Sequence, residues 1–326
     1  MNVAVTGASG RIGNVVVRQL LEAGHSVRVL QRRESRALAG LPVARVSGDL
    51  LDPIALKNLM EGCEAVIHLA AMISVQGGMQ GKVQQTNFEG TRILLETAQS
   101  QRVRRVICFS SIHAFQQFPP NEILNETRGL AFNSRMAYDR SKAEALDFSL
   151  KFAANHPLEV IALCPTSVIG PFDFEPSLSG QMFLDFYRRK IPMLVPGGFD
   201  WCDVRDVAAA AVSALEQGST GEAYLLSGRY ATLLEIAQIV GATISKPTPK
   251  YITPYGLLRI GVPFLEFYAK ITKKRPLFTR EALETVREGS KRISCKKAQK
   301  ELGYTRRPLE TTIADSYQWF EQNSYL

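Results

Sequence analysis

Residues 3–13 read VAVTGASGRIG, an apolar run that passes through three glycines into an amphipathic stretch. Asn2–Thr6 has the pattern of a strand and Arg11–Glu22 that of a helix. Gly7, Gly10 and Gly13 therefore occupy the turn between a strand and the start of a helix. In that context the spacing has a physical meaning. Gly7 permits a tight turn, Gly10 keeps a side chain away from backbone N–H groups that would meet a pyrophosphate, and Gly13 lets the helix pack closely on the strand. The helix start, with Ser9, Arg11 and Ile12 around it, offers free N–H groups and the positive end of its dipole to a phosphate. These residues predict a dinucleotide site.

Outward from this turn, strand-like runs recur at Ser26–Gln31, Val43–Ser47, Ala65–Leu69, Val103–Phe109 and Leu158–Cys164. Helical patterns separate them, among them Lys82–Gln101 and Arg135–Ala154. Strands alternating with helices imply right-handed crossovers and a parallel sheet covered on both faces. The expected fold is α/β, a doubly wound parallel sheet of Rossmann type, with ligands beyond the carboxyl ends of the strands. After Pro165 the pattern breaks into loops rich in Pro, Phe and Gly. A helix and the strand Ala223–Leu226 then resume the earlier pattern. The expected division is a nucleotide domain over 1–169, rejoined by 203–227, and a smaller, discontinuous substrate lobe from 170–202 and 228–326.

The second strand ends in VRVLQRRES, where a carboxylate would accept hydrogen bonds from an adenosine ribose. Gln31, Arg32 and Arg33 stand there instead. A guanidinium binds a 2′-phosphate through a charge-assisted fork, so NADP(H) is the preferred cofactor, with NAD(H) as the alternative. Arg32 is the candidate, and Arg33 the better fit to a solvated loop residue. GDLLD places Asp49 and Leu50 where an adenine would be flanked, and HLAA brings the small residue Ala70 to the end of the fourth strand.

YDRSK sets Tyr138 and Lys142 four residues apart, on one face of a helix. A phenol is a poor base near neutrality. An ammonium beside it would stabilise phenolate, so that Tyr138 exchanges a proton with an alcohol or carbonyl oxygen. Ser111, in FSSIHAF at the end of the fifth strand, would hydrogen-bond the same oxygen, with Ser110 as its rival.

TGASGRIG, GDLLD, HLAA, NFEGT, FSSIHAF, YDRSK, CPTSVIGP and DVRDVAAA, in that order, resemble the extended short-chain dehydrogenase/reductase family, within the NAD-dependent epimerase/dehydratase superfamily. The resemblance covers nearly the whole chain. It implies Ser111, Tyr138 and Lys142 as a catalytic set, Asn87 as a supporting residue, and Pro165 to Val168 beside the nicotinamide. VRVLQRR and RPLFTREAL look most like dihydroflavonol-reductase-like and hydroxysteroid-dehydrogenase-like members. Sugar-nucleotide dehydratases of the family carry Asp-Glu after the active-site hydroxyl residue. Ile112 and His113 stand there in this chain, which weakens a dehydratase reading.

The bulk numbers agree with an ordinary globular enzyme: 326 residues, 45% apolar and 21% charged. Five scattered cysteines lack any C-x-x-C pair, which predicts reduced, buried thiols, a reducing compartment and a cytoplasmic enzyme. The first strand pattern starts at Asn2, so no signal peptide is expected, and no apolar run approaches the ~18 residues a membrane span needs. The net charge of +8 belongs to the region from Lys246 onward, with 16 Lys/Arg against 8 Asp/Glu. That basic lobe is a solvated face, an attraction for an anionic substrate, or a weak membrane-surface contact. Homodimerisation is the other expected partnership. No nucleic-acid motif is present. The four histidines lack ligand spacing, so no metal is expected.

Phe172, Phe174, Phe183, Phe186 and Trp201 are candidates for a pocket wall or for lobe core. The apolar segment 254–270, followed by Lys273, Lys274 and Arg275, reads as a pocket cap, a core helix or an interfacial helix. The expected activity is reduction of a carbonyl or oxidation of a secondary alcohol. A sugar-nucleotide epimerase and a non-catalytic NADP-binding protein are the rivals.

Overall fold

The strand β1 (Asn2–Thr6) lies inside the sheet, paired in parallel with β2 (Ser26–Gln31) on one side and β4 (Ala65–His68) on the other. Val3 stands opposite both Val27 and Ala65. Successive side chains alternate between faces. Val3 and Val5 enter one core, whereas Ala4 enters the other. A strand buried on both faces must be apolar throughout, which is why VAV shows no alternation. The computed structural model describes residues 1–73, 78–254, 256 and 289–326.

With β3 (Ala44–Ser47), β5 (Arg105–Phe109), β6 (Glu159–Pro165) and β9 (Ala223–Leu226), these strands form a seven-stranded sheet in the order β3-β2-β1-β4-β5-β6-β9. Every pairing in it is parallel. Helices α1 (Arg11–Glu22) and α7 (Val204–Ser213) pack on one face; α2 (Pro53–Met60), α4 (Gly90–Ser100) and α5 (Ala137–Asn155) pack on the other. This is the Rossmann-type α/β arrangement. The chain winds outward from β1 to β3, then returns to β4 on the other side of β1. The carboxyl ends of β1 and β4 thus flank the crevice where such sheets bind ligands.

Several boundaries shift by one or two residues from the sequence pattern, and two shifts have a clear local form. The expected helix Lys82–Gln101 is α3 (Lys82–Gln84), a π-helical turn at Gln85–Glu89, and α4. The expected strand from Val103 begins at Arg105, because the Val103 N–H closes the preceding helix on Ala98 O, 3.0 Å away.

A second sheet, ordered β10-β8-β7, joins β7 (Ser167–Ile169), β8 (Gly198–Asp203) and β10 (Arg229–Thr232). Around it pack α6 (Leu178–Tyr187), α8 (Leu233–Ile244) and α10 (Leu309–Gln322), while α9 (Lys296–Leu302) joins the main sheet's core. The aromatic residues considered for a pocket wall fill this lobe's interior instead. Phe183, Phe186 and Trp201 are buried, and the Trp201 indole donates to Ala231 O at 3.1 Å. Phe172 and Phe174 pack on Trp319, with ring centroids 6.2 and 5.0 Å away. The apolar segment at 254–270 lies, apart from residues 254 and 256, outside the described residues, as do RPLFTREAL and its flanking lysines. Among the described residues no helix is long and apolar enough to cross a membrane. None of their His, Cys, Asp and Glu side chains form a group able to hold a metal. All five cysteines are free and buried.

Candidate active site

Because every strand of the main sheet runs the same way, the residues following each strand gather along one edge. Gly7 to Gly13 follow β1, Arg32 follows β2, Asp49 and Leu50 follow β3, Ala70 follows β4, Ser111 follows β5, and Pro165 ends β6.

The glycine turn is a tight cradle. Gly7 has φ +69°, and a Cβ there would stand 2.6 Å from Ala70 N, so its small size also lets the end of β4 close in. A Cβ on Gly13 would stand 2.1 Å from Gly7 O. On Gly10 it would meet only Gly7 O, at 3.2 Å, leaving the approach over the turn open. Gly10 caps α1 without any side-chain hydrogen bond, so the first-turn N–H groups meet no capping side chain. Ser9 and Gly10 are exposed, while Ile12 packs against the core. These features fit a dinucleotide pyrophosphate. Arg11 turns toward the smaller lobe, donating from Nη1 to Ser177 Oγ at 2.7 Å, and burial draws its guanidinium below its ordinary value.

Arg32 projects into solvent, with Nη1 3.8 Å from Asp49 Oδ2. Arg33 is held by Glu175 at 3.3 Å. Leu50 and Val168 are buried in the cores, so what they offer to the cleft is backbone rather than side chain. The Ala70 N–H donates to Thr6 Oγ1 at 3.3 Å.

Tyr138 and Lys142 lie one turn apart on α5. Burial pushes the Tyr138 phenol up to about 12, against a hydrogen bond with Ser111 that pulls it down. Lys142 is buried and donates from Nζ to Phe109 O at 3.0 Å. Burial lowers its ammonium to about 8. Desolvation dominates at Tyr138, which keeps its proton at neutral pH, and the lysine is engaged on the strand end. Of the two serines, Ser111 is the one that acts on the phenol's proton affinity. Ser110 lines a small cavity behind Lys142, shared with His68, Thr91 and Cys108.

Asn87 sits in the π-helical turn, a distortion common at functional sites. Its Oδ1 accepts from Met72 N at 2.7 Å, and its Nδ2 donates to Met72 O at 3.0 Å and Ser141 Oγ at 2.9 Å. The Ser141 hydroxyl donates to Tyr138 O at 2.7 Å, so Asn87 braces the loop after β4 against the turn of α5 that carries the phenol.

Two arrangements escaped the sequence reading. His68 is buried between Thr6 and Thr91, with Nδ1 2.7 Å from Thr6 Oγ1 and Nε2 3.1 Å from Thr91 Oγ1. Burial first, then the Lys142 charge, lowers its pKa to about 3, so it is neutral. The only signal for it was a polar residue closing an apolar strand, which must find partners when buried. The second arrangement pairs His113 with Asp139, the residue beside Tyr138. His113 Nδ1 stands 3.4 Å from Asp139 Oδ1.

A model of the NAD dependent epimerase/dehydratase family matches residues 3–227. The chain belongs to that family. Membership brings the class of activity with it, an NAD(P)-dependent enzyme of the oxidoreductase type. Within the family the chain is 32% identical to sterol demethylase protein B of Methylococcus capsulatus, over 100% of both chains. It is 30% identical to a putative dihydroflavonol 4-reductase of Synechocystis, over 99% of this chain and 95% of that one. The crystal structure of gox2253 superposes with a TM-score of 0.86 at 30% identity, covering 100% of this chain and 99% of that one.

Proposed function

We propose that this family member is an NADP(H)-dependent oxidoreductase that reduces a carbonyl, or oxidises a secondary alcohol, through Ser111, Tyr138 and Lys142. What supports the reading is the Ser111 hydroxyl beside a Tyr138 phenol that burial keeps protonated, with Lys142 one turn further along the same helix, at the carboxyl edge of the sheet. The Synechocystis relative, named as a reductase, supports the same direction.

A reduced nicotinamide, when bound, supplies the hydride. The protein's own side chains manage the oxygen. Ser111 hydrogen-bonds the carbonyl oxygen, and Tyr138 gives it the phenolic proton as negative charge develops there. Lys142 offers a buried cation close to that turn of α5, anchored on Phe109 O. In the reverse direction the deprotonated phenol of Tyr138 accepts the alcohol proton. Arg32, exposed after β2, is the group we assign to the adenosine 2′-phosphate, with Asp49 and the Leu50 backbone beside the adenine. Ala70, Pro165 and the Val168 backbone border the remaining cleft.

The test is a panel of carbonyl compounds followed by NADPH absorbance. Consumption of NADPH with formation of one equivalent of alcohol is the expected result. Oxidised cofactor that copurifies and is never consumed would mark an epimerase cycle instead. Binding of NADPH without turnover of any compound would favour a non-catalytic protein.

A further inference from the structure

The carboxyl-terminal ends of α6 and α8 meet on the smaller lobe and carry charge of one sign. Arg188, Arg189 and Lys190 follow α6, and Lys246 and Lys250 follow α8. The two segments are joined: Lys246 Nζ stands over the Tyr187 ring, 3.2 Å from its centroid. The Leu194 N–H donates to Tyr251 O at 2.9 Å, and the Thr253 N–H to Leu194 O at 2.8 Å. Residues 186–199 and 236–254 hold no Asp or Glu. The acids that flank them are already engaged, Asp185 by Gln181 Nε2 at 2.9 Å and Glu235 by Arg229 at 2.8 Å. Five cations therefore gather on one part of the lobe, and among the described residues no carboxylate pairs with any of them.

Large apolar side chains stand exposed in the same two segments. Tyr251 is 79% exposed, Met193 48% and Ile252 44%, although the backbone pairing of Leu194 with Ile252 ties their segments together. A helix C-terminus favours cations, which accounts for Arg188, Arg189, Lys190 and Lys246 one by one. That field fades within a turn, so it does not account for Lys250. It also gives no reason for apolar side chains to stand in water among the charges. A phospholipid surface answers both features. Anionic headgroups meet the cations, and a tyrosine, with its apolar ring and polar tip, suits the headgroup boundary. Nucleic acid would draw the cations but leave Met193 and Ile252 in water.

We propose that this face of the smaller lobe docks on a membrane surface rich in anionic phospholipid. Arg189, Lys190 and Lys250, all exposed, meet the headgroups, while Tyr251, Ile252 and Met193 enter the interface. Arg188, whose Nη2 donates to Tyr325 O at 2.7 Å, and Lys246, held over Tyr187, add fixed positive charge. Each basic residue close to an anionic membrane raises partitioning about fivefold, so three give on the order of 100-fold. The contact is peripheral and belongs to one lobe, with no residue of the glycine turn in it. It does not depend on which reaction the cleft performs.

The probes are vesicles of phosphatidylcholine alone and vesicles in which about a third of it is replaced by phosphatidylglycerol. The full chain should sediment with the anionic vesicles and not with the neutral ones. Salt at about 0.5 M, which shortens the screening length to a few ångströms, should release it. Arg189→Glu combined with Lys250→Glu should weaken partitioning by at least about 25-fold. Tyr251→Ser combined with Ile252→Ser should weaken it several-fold at unchanged charge. All four side chains are exposed, and thermal unfolding checks that both variants fold. Tyr251→Trp gives a second readout. Trp201 and Trp319 are both buried, so a blue shift of emission on adding anionic vesicles should report the new side chain leaving water. No sedimentation with anionic vesicles, equal binding to neutral ones, or binding that survives the charge reversal overturns the proposal. So does capture of soluble polyglutamate as tightly as vesicles with no shift in Tyr251→Trp, which would make the partner an acidic protein.

Discussion

Lys142 Nζ donates to the carbonyl oxygen of Phe109 at 3.0 Å, tying the second turn of α5 to the last residue of β5. The contact holds a charged group in a place where burial disfavours charge, and its ammonium is drawn from 10.5 down to about 8. The lowered value means that the unfolded chain binds a proton the folded chain has lost between pH 8 and 10.5. Over that window the contribution of Lys142 to stability rises with pH, by on the order of 3 kcal/mol. Lys142→Met removes it. The difference in unfolding free energy between wild type and variant, measured by denaturant titration, should therefore shift toward the wild type from pH 8 to 10.5. A difference that stays flat would place the lysine in water rather than in the wall of the cleft.

His68 provides a test at the acid end. Its pKa is lowered from 6.5 to about 3, chiefly by burial between β1 and α4. The unfolded chain takes up the proton below pH 6.5 and the folded chain does not until about 3, so stability falls as pH drops through that window. His68→Gln keeps hydrogen-bonding capacity without the titration. Its acid unfolding should begin at lower pH than that of the wild type, relative to its own stability at neutral pH. Parallel acid profiles for the two proteins would contradict a buried, neutral His68.

The proposed preference for NADP(H) assigns the 2′-phosphate to Arg32. Its guanidinium is 78% exposed and only loosely engaged at 3.8 Å by Asp49, whereas Arg33 is occupied by Glu175. A charge-assisted hydrogen bond contributes about 1.5–3 kcal/mol, or roughly 10- to 100-fold in Kd. Fluorescence titration should find NADPH bound more tightly than NADH by a factor in that range. Arg32→Glu should reverse the order. Asp49→Asn, which removes a like charge near the 2′-phosphate, should strengthen NADPH binding several-fold. Equal affinities in the parent protein would rule out this role for Arg32.

What the sequence made legible is local. VAVTGASGRIG carries the strand, the turn and the helix in eleven consecutive residues, and a parallel sheet then forces the residues after each strand onto one edge. Ser111 is recognisable because it follows a strand, and Tyr138 because it stands four residues before Lys142 in a helical pattern. The interactions that fix them are not local. Asn87 reaches Met72 and Ser141, His113 reaches Asp139, and His68 reaches Thr6 and Thr91, all across separations that no periodicity encodes. Sequence also leaves open whether a residue offers side chain or backbone. Leu50 packs over Gly90, whose Cβ would meet it at 2.5 Å, so its side chain belongs to the core. The state of the phenol is hard to read from sequence for a related reason. Proximity to a lysine is readable from spacing, but the desolvation that outweighs it depends on every element packed around Tyr138.

That desolvation shapes the last prediction. With its phenol pushed up to about 12, Tyr138 is a proton donor at neutral pH and a poor acceptor. Reduction should then run at a pH-independent rate across neutrality as far as this residue is concerned, while oxidation of an alcohol should accelerate as pH rises toward the phenol's pKa. Tyr138→Phe removes one oxygen from a half-buried ring and leaves the ring's packing in place. Folding and NADPH affinity should stay close to wild type, because the glycine turn and Arg32 are untouched. The loss should fall on kcat, since the missing proton is needed only as charge develops on the substrate oxygen. Removal of a general acid typically costs about 10²–10⁴-fold. Ser111→Ala should cost less, because the phenol keeps its proton without the serine. Steady-state kinetics on an identified carbonyl substrate, with thermal unfolding as the control for folding, checks both variants. If Tyr138→Phe retained more than about a tenth of the wild-type kcat, proton delivery would have to come from another group.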